Sequence, residues 1–332
     1  MNTRIERKKK KKRWGRTVLF ILLILAIGVG AYAYNVYNDV ANAVNTMHNP
    51  LSNEGSDKRE EKVEVKQKDP ISVLLVGIDE RDGDAGRTDS MMVLTINPEL
   101  SSTKILSIPR DTRVKIVNDD MPKKAYYSKI NHAYGAYRDA SIETSIDTVE
   151  HFLNIPIDYY IEVNMEGFKD IVDAVGGIDV DNPRSFELDG VYVKKGPQHL
   201  NGEKALAYAR MRKEDPRGDF GRQERQREVI SKVIEKGVSL SSITNYNEIL
   251  DALEKNIKTN LSLKEMINFQ SNYKSAASTM DKMEIEGTGQ TLDDNLWYYI
   301  VDDTTRQELS NQLRSHLELP TETVARMNSN SY

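Results

Sequence analysis

No cysteine occurs among the 332 residues. Disulfides, thiolate nucleophiles and zinc or iron–sulfur sites built on thiolates are therefore excluded, and an exported chain of this kind must rest on a real apolar core. Histidine is scarce too, and the five present show no metal-ligand spacing. His132, in "KINHAYG", is the one to watch, with a structural and a catalytic role equally open. The chain has no P-loop, no serine nucleophile elbow and no kinase signature. Its acidic stretch after residue 79 has glycine and glutamate out of register for an EF-hand. No repeat period is visible. Nothing points to hydride, flavin or haem chemistry.

Net positive charge is concentrated in one short segment. Residues 4–16 hold nine Lys or Arg and one acid, Glu6; the chain beyond residue 34 carries 37 basic against 50 acidic residues, a net −13. So acidic a remainder binds polyanions poorly, so nucleic acid is not expected as a partner and an anionic ligand needs a local arginine cluster.

The basic segment, residues 1–16, precedes an uncharged, largely apolar run from Thr17 to Tyr34. As a helix that run would span about 27 Å, close to the hydrocarbon thickness of a bilayer. Trp14, Tyr32, Tyr34 and Tyr37 fall near its two ends, where amphipathic rings are favoured. The expectation is a single-pass anchor at 17–34 with residues 1–16 in the cytoplasm and the rest outside the cell. Ala31-Tyr32-Ala33 resembles a cleavage site, but the run is long for a signal peptide. Residues 35–69 are polar and charge-rich up to Pro70 and read as an extracellular spacer; residues 320–332 read as a loose tail.

Between them, about 250 residues suffice for one domain. Ile71–Ile78, Met91–Ile96 and Lys104–Ile108 are apolar runs expected to form strands, and the turn residues of "NPELSS" make the last two an antiparallel pair. If the second run also returns on the first, the end of run one, the start of run two and the end of run three share one sheet edge. Downstream, helical and strand-like spacings alternate, which argues one α/β domain over 70–319 with a central mixed sheet between helical layers.

Two segments carry chemistry. The first holds Asp79, Arg81, Arg87, Asp89, Arg110 and Asp111; the second, "ARMRKEDPRGDFGRQERQRE", holds Arg210, Arg212, Arg217, Arg222, Arg225 and Arg227. Carboxylates able to hold a divalent cation, beside guanidinium groups able to clamp phosphates, suggest phosphoryl transfer. On a helix starting near Gly221, Arg222 and Gln226 share a line with Val229 and Val233, so they project inward from its first turn; Arg225 flanks that face, and Arg227 reads as solvated. The competing reading is structural: turn acids at Asp79 and Asp89, and arginines that tie a loop to Glu214, Asp215 and Asp219.

"GIDERDGDAGRTDS", "SIPRDT", "KINHAYG", "VNMEGFKDIVDAVGGIDV" and "YARMRKEDPRGDFGRQERQ" together resemble the successive motifs of the LytR-CpsA-Psr proteins of Gram-positive bacteria, over roughly residues 70–318. The resemblance implies a phosphotransferase on the outer face of the membrane, dependent on magnesium, or on manganese in its place. It would join an undecaprenyl-pyrophosphate-linked glycopolymer, wall teichoic acid above all, to a sugar hydroxyl of peptidoglycan through a phosphodiester. It carries Asp79 and Asp89 over as the metal pair. Arg81 and Arg110, with Arg210, Arg212, Arg222, Arg225 and Gln226, would surround the pyrophosphate. The alternatives are a polyprenyl-pyrophosphate phosphatase acting with water and a non-catalytic exported regulator. A regulator acting on genes would have only about 16 residues inside the cell, with no DNA-binding fold among them.

Overall fold

The computed structural model describes residues 34–52, 55–79, 87–136, 141–239, 250 and 253–327. The basic segment, nearly all of the expected anchor, Arg81 and residues 328–332 lie outside them. Helix α1 (34–47) leads to β1 (Ile71–Asp79), β2 (Arg87–Asn97) and β3 (Ser102–Ser107). The hairpin β4 (Arg113–Ile116) and β5 (Tyr126–Lys129) and helix α2 (Ile142–Leu153) precede β6 (Tyr159–Asn164) and α3 (Met165–Ala174). Short strands β7 (Ile178–Asn182), β8 (Phe186–Leu188), β9 (Val191–Val193) and β10 (Gly196–Leu200) run into α4 (Gly202–Arg210) and α5 (Asp219–Ser239). Then come α6 (253–256), β11 (Ile257–Thr259), α7 (Leu263–Asn272), β12 (Thr279–Met283), β13 (Thr288–Thr291), β14 (Trp297–Ile300) and α8 (Asp303–His316).

The main sheet has the order β11-β6-β1-β2-β3-β12 and is mixed. β1 is antiparallel to β2 and parallel to β6, and β3 is antiparallel to β2 and parallel to β12. Its central strands are mainly apolar because both faces are covered. Leu74, Val76 and Ile78 of β1 face one way, against Val149 and Phe152 of α2 and Leu309 and Leu313 of α8. Ile71, Val73 and Leu75 face the other, in a layer with Ile230 and Ile234 of α5 and Met266 and Phe269 of α7. A third core, with Val172, Val180, Tyr208 and Val229, joins α3, α4 and α5 to the short strands. The expected α/β/α layering is therefore present in one domain.

Two boundaries differ from expectation. The spacer before Pro70 is not a free stalk: Ala43, Val44 and Met47 of α1 are buried, Asn49 bonds the Tyr160 hydroxyl, and Arg59 pairs with the buried Asp158 at 3.2 Å. Its few apolar residues suffice to dock it because they recur on one helical face. Nor are residues 320–327 loose. Buried Arg306 and Arg314 of α8 donate to the Ala325 and Pro320 carbonyls, and Val324 is buried. Among the described residues no helix is long and apolar enough to cross a membrane.

Candidate functional site

The register of β1 on β2 slips between Gly77 and Ile78: Gly77 faces Ser90, Ile78 faces Thr88, and Asp89 is the extra residue. A bulge of this kind re-aims a side chain at the end of a ladder. Asp79 closes β1 opposite Arg87, one residue further along the pair. Arg110 follows β3 and reaches back, its Nη1 donating to Asp89 Oδ1 at 2.7 Å. Asp111 lies 3.6 Å from the Arg110 Nε and accepts from Lys129 Nζ at 2.6 Å. Burial works to lower the Arg110 pKa, and the hydrogen bond to Asp89 with the charges of Asp89, Asp219 and Asp111 more than reverses it.

The second segment meets the first directly. Arg222, in the first turn of α5, donates to the Asp89 carbonyl at 3.3 Å and pairs with Asp219 at 2.7 Å. One turn on, Gln226 accepts from the Ser90 hydroxyl at 3.1 Å. Burial pulls the Arg222 pKa below the ordinary arginine value, and Arg110 and Arg212 add to the depression against Asp219 and Asp89. The buried Arg222 Nε finds no acceptor among the described residues. A desolvated guanidinium N–H without an acceptor is costly, and an anionic ligand would supply one.

Asp89, Ser90, Arg222 and Gln226 open on a cavity of about 880 Å³ between the second face of the sheet and helices α3, α4 and α5, and Arg110 stands behind Asp89, off the cavity lining. Asp89, Arg210, Arg212, Arg222 and Gln226 line it at one end; Val73, Leu75, Ile161, Phe168, Ile230 and Val233 are among its apolar walls. Arg210 also pairs with Asp189 at 2.8 Å. The inward line read for α5, Arg222-Gln226-Val229-Val233, is wholly on the cavity.

Arg225 is not on it. Its Nε donates to the Tyr208 carbonyl, its Nη1 to Asp215 at 2.5 Å and its Nη2 to the Met211 carbonyl, all buried. Burial opposes the Asp215 charge but is outweighed by the Arg217 N–H and the Arg225 guanidinium, which hold its carboxyl below the usual range. Gly221 leaves room for that carboxylate: an added Cβ would lie 2.0 Å from Asp215 Oδ2. Arg217 is engaged by Asp215 and Glu224. Arg227, expected in solvent, is 2% exposed and pairs with Glu284, an acid brought beside it by the connection after β12. Asp219 and Asp215, read from the sequence as structural partners of the loop arginines, pair with Arg222 and Arg225, whereas Asp111 as a partner of Arg110, and Lys129 behind it, escaped the sequence reading; the "KINHAYG" motif that starts at Lys129 was the available signal.

No group of three His, Cys, Asp or Glu ligands gathers among the described residues. A cation here would rest on one or two carboxylates and on oxygens of a ligand, the pattern magnesium accepts, and Asp89 with the neighbouring end of β1 fits it.

Fold and site together define an α/β domain with an apolar cavity under an arginine-rich mouth. Residues 34–315 match the model of the LytR_cpsA_psr family, and the chain belongs to that family. It is 50% identical, over 94% of its length and 99% of the relative's, to the polyisoprenyl-teichoic acid–peptidoglycan teichoic acid transferase TagU of Bacillus anthracis. Among solved structures it is similar to TagU of B. subtilis, at 42% identity and TM-score 0.58 over 76% of this chain and 99% of that one. It is also similar to TagT bound to LIIa-WTA, at 33% identity and TM-score 0.68 over 82% of this chain and all of the other.

Proposed function

We propose that the protein is a phosphotransferase that moves a glycopolymer, wall teichoic acid, from undecaprenyl pyrophosphate to a peptidoglycan hydroxyl. The observation that carries this reading is the cavity, whose apolar depth opens on guanidinium groups as a lipid diphosphate requires. The names of relatives about half identical over nearly the whole chain support the polymer and the acceptor.

In this reading the polyprenyl chain lies along Leu75, Ile161 and Val233, and the diphosphate meets Arg210, Arg212 and Arg222 at the mouth, with Arg110 reaching it from beside Asp89. Arg81 belongs to the same group by its motif. Arg110 is held in place by Asp89 and Asp111, so its charge is aimed before substrate arrives, the arrangement that costs least reorganisation as phosphoryl oxygens gain charge. Gln226, fixed by Ser90, positions a phosphate oxygen. Arg225 serves by holding the Tyr208–Asp215 corner from which Arg210 and Arg212 project. Asp79 and Asp89 would hold magnesium or manganese, which supplies neutralisation of the phosphoryl oxygens without a covalent protein intermediate. Residues 17–34 would anchor the chain as a single-pass segment, with this domain outside the cell.

Purified full-length protein, given a lipid-diphosphate-linked glycan and uncross-linked peptidoglycan strands, should yield a phosphodiester product. Arg110→Ala should keep the wild-type melting temperature within a few degrees and lose transfer by at least about a hundredfold. Full transfer by this variant would overturn the reading, and release of free glycan phosphate in the presence of acceptor would mark a phosphatase instead.

A further inference from the structure

We propose that the exposed rings Trp297, on the β13–β14 hairpin, and Phe220, at the start of α5, form a platform for a neutral glycan strand, the subsite on which acceptor sugars stack. The platform presupposes the transfer reaction proposed for this protein and supplies its acceptor side. Trp297 is 47% exposed. It packs over Gly289, where an added Cβ would lie 2.6 Å from its ring, so the ring lies close to the hairpin backbone. Tyr299, two residues on, is buried and meets Phe220 with ring centroids 5.5 Å apart; Phe220 is itself 38% exposed, so Trp297 and Phe220 are the rings open to a ligand and Tyr299 is the buried ring against which Phe220 is seated. Thr291, directly opposite Trp297 in the ladder, adds a hydroxyl to the same face of the hairpin. Exposed rings beside a polar group match pyranoses, which offer an apolar C–H face and hydroxyls at the edge.

The platform leads to the mouth of the cavity. Phe220 adjoins Asp219, the partner of Arg222, and the Tyr299 N–H donates to the carbonyl of Asp111, next to Arg110, at 2.9 Å. Charge selects the occupant: residues 284–303 hold six acids and no Lys or Arg, and although Glu284 and Asp303 are paired with Arg227 and Arg306, Glu286, Asp293, Asp294 and Asp302 leave the stretch net negative. A polyphosphate chain or an anionic bilayer is repelled there, whereas an uncharged sugar strand is not.

Trp297 and Trp14 are the two tryptophans of the chain, so full-length protein carrying Trp14→Phe reports from Trp297 alone. Titration with chitotetraose should change its emission saturably, and poly(glycerol phosphate) should not. Trp297→Ala should raise the glycan-strand concentration for half-maximal transfer about tenfold, with donor saturation unchanged, and Trp297→Tyr should restore most of it. The platform is wrong if Trp297→Ala keeps the wild-type acceptor dependence, or if emission responds to the polyanion or to reconstitution into phosphatidylglycerol vesicles but not to the sugar. Should Arg110→Ala be inactive while Trp297→Ala is unaffected, only the platform falls; an active Arg110→Ala removes the proposed reaction itself.

Discussion

Arg222, Arg225 and Arg227 stand within six consecutive residues of α5 and have three different uses. Arg222 faces the cavity with an unsatisfied buried N–H, Arg225 is consumed by Asp215 and two carbonyls, and Arg227 is buried against Glu284. Only the first is poised for a ligand, and stability and activity should separate accordingly. Arg225→Ala strands the Asp215 carboxylate in a buried position and should cost about 3–5 kcal/mol, read from urea denaturation. Arg222→Ala removes a desolvated cation whose partner Asp219 is partly in water, so its stability cost should be about 1 kcal/mol or less while donor affinity falls at least about tenfold. Equal destabilisation by the two would mean that Arg222 is a structural residue like its neighbour.

At the scale of single elements, α2 carries a stripe of Ile142, Ile146, Val149 and Leu153 and, among them, the buried Glu150. That carboxyl accepts the Ile157 N–H at 2.6 Å and so ties the end of α2 to the approach to β6. Burial pushes its pKa up to about 8, against the helping hydrogen bonds, with Asp147 and Asp158 adding to the rise. Folding therefore takes up a proton: the contribution is complete below about pH 4.3, the unfolded value, and declines as pH rises toward 8. His151, lowered to about 4 chiefly by burial, acts in the opposite sense by favouring the folded state above its unfolded value. Comparison with Glu150→Gln, which keeps the acceptor, isolates the first effect. Wild type should lose up to about 1.4 kcal/mol per pH unit relative to the variant between pH 5 and 8, and parallel stability curves would show that Glu150 is ionised in the fold. Elements of this kind are legible in sequence because periodicity reports burial: the strands β1 to β3 and the inward line of α5 both follow from it. The bulge at Asp89 leaves no such trace, since a register slip depends on the partner strand and not on the residues that slip. Arg227 is misread for a related reason: flanking Glu224 and Glu228 imply a solvated surface, and the acid that covers it lies 57 residues away. Likewise α1 and residues 320–327 have polar compositions that hide a few docking contacts.

For the whole molecule, the cavity is the feature that packing alone does not account for. An enclosed void of about 880 Å³, charged at about 24 cal/mol per Å³, would cost about 20 kcal/mol, more than the total stability of an ordinary domain. The space is therefore maintained by being open at its arginine rim and by walls that α3 and α5 hold apart, and a chain that keeps it gives up stability for binding. Filling it should reverse that exchange. Ile161→Phe and Val233→Phe, placed on the sheet and on α5, put two rings into the depth of the cavity and leave Arg110, Arg222 and Asp89 untouched. The double variant should melt at or above the wild-type temperature because new apolar contacts form without displacing packed atoms. Its transfer from a donor with a full-length polyprenyl tail should fall at least about tenfold, as the lost burial of a few methylene groups suffices for that. A donor with a two-isoprene tail, too short to reach the rings, should be used by both proteins at the same rate. Unimpaired use of the long-tailed donor would mean that the lipid lies elsewhere and that the arginine mouth faces a diphosphate whose tail never enters the domain.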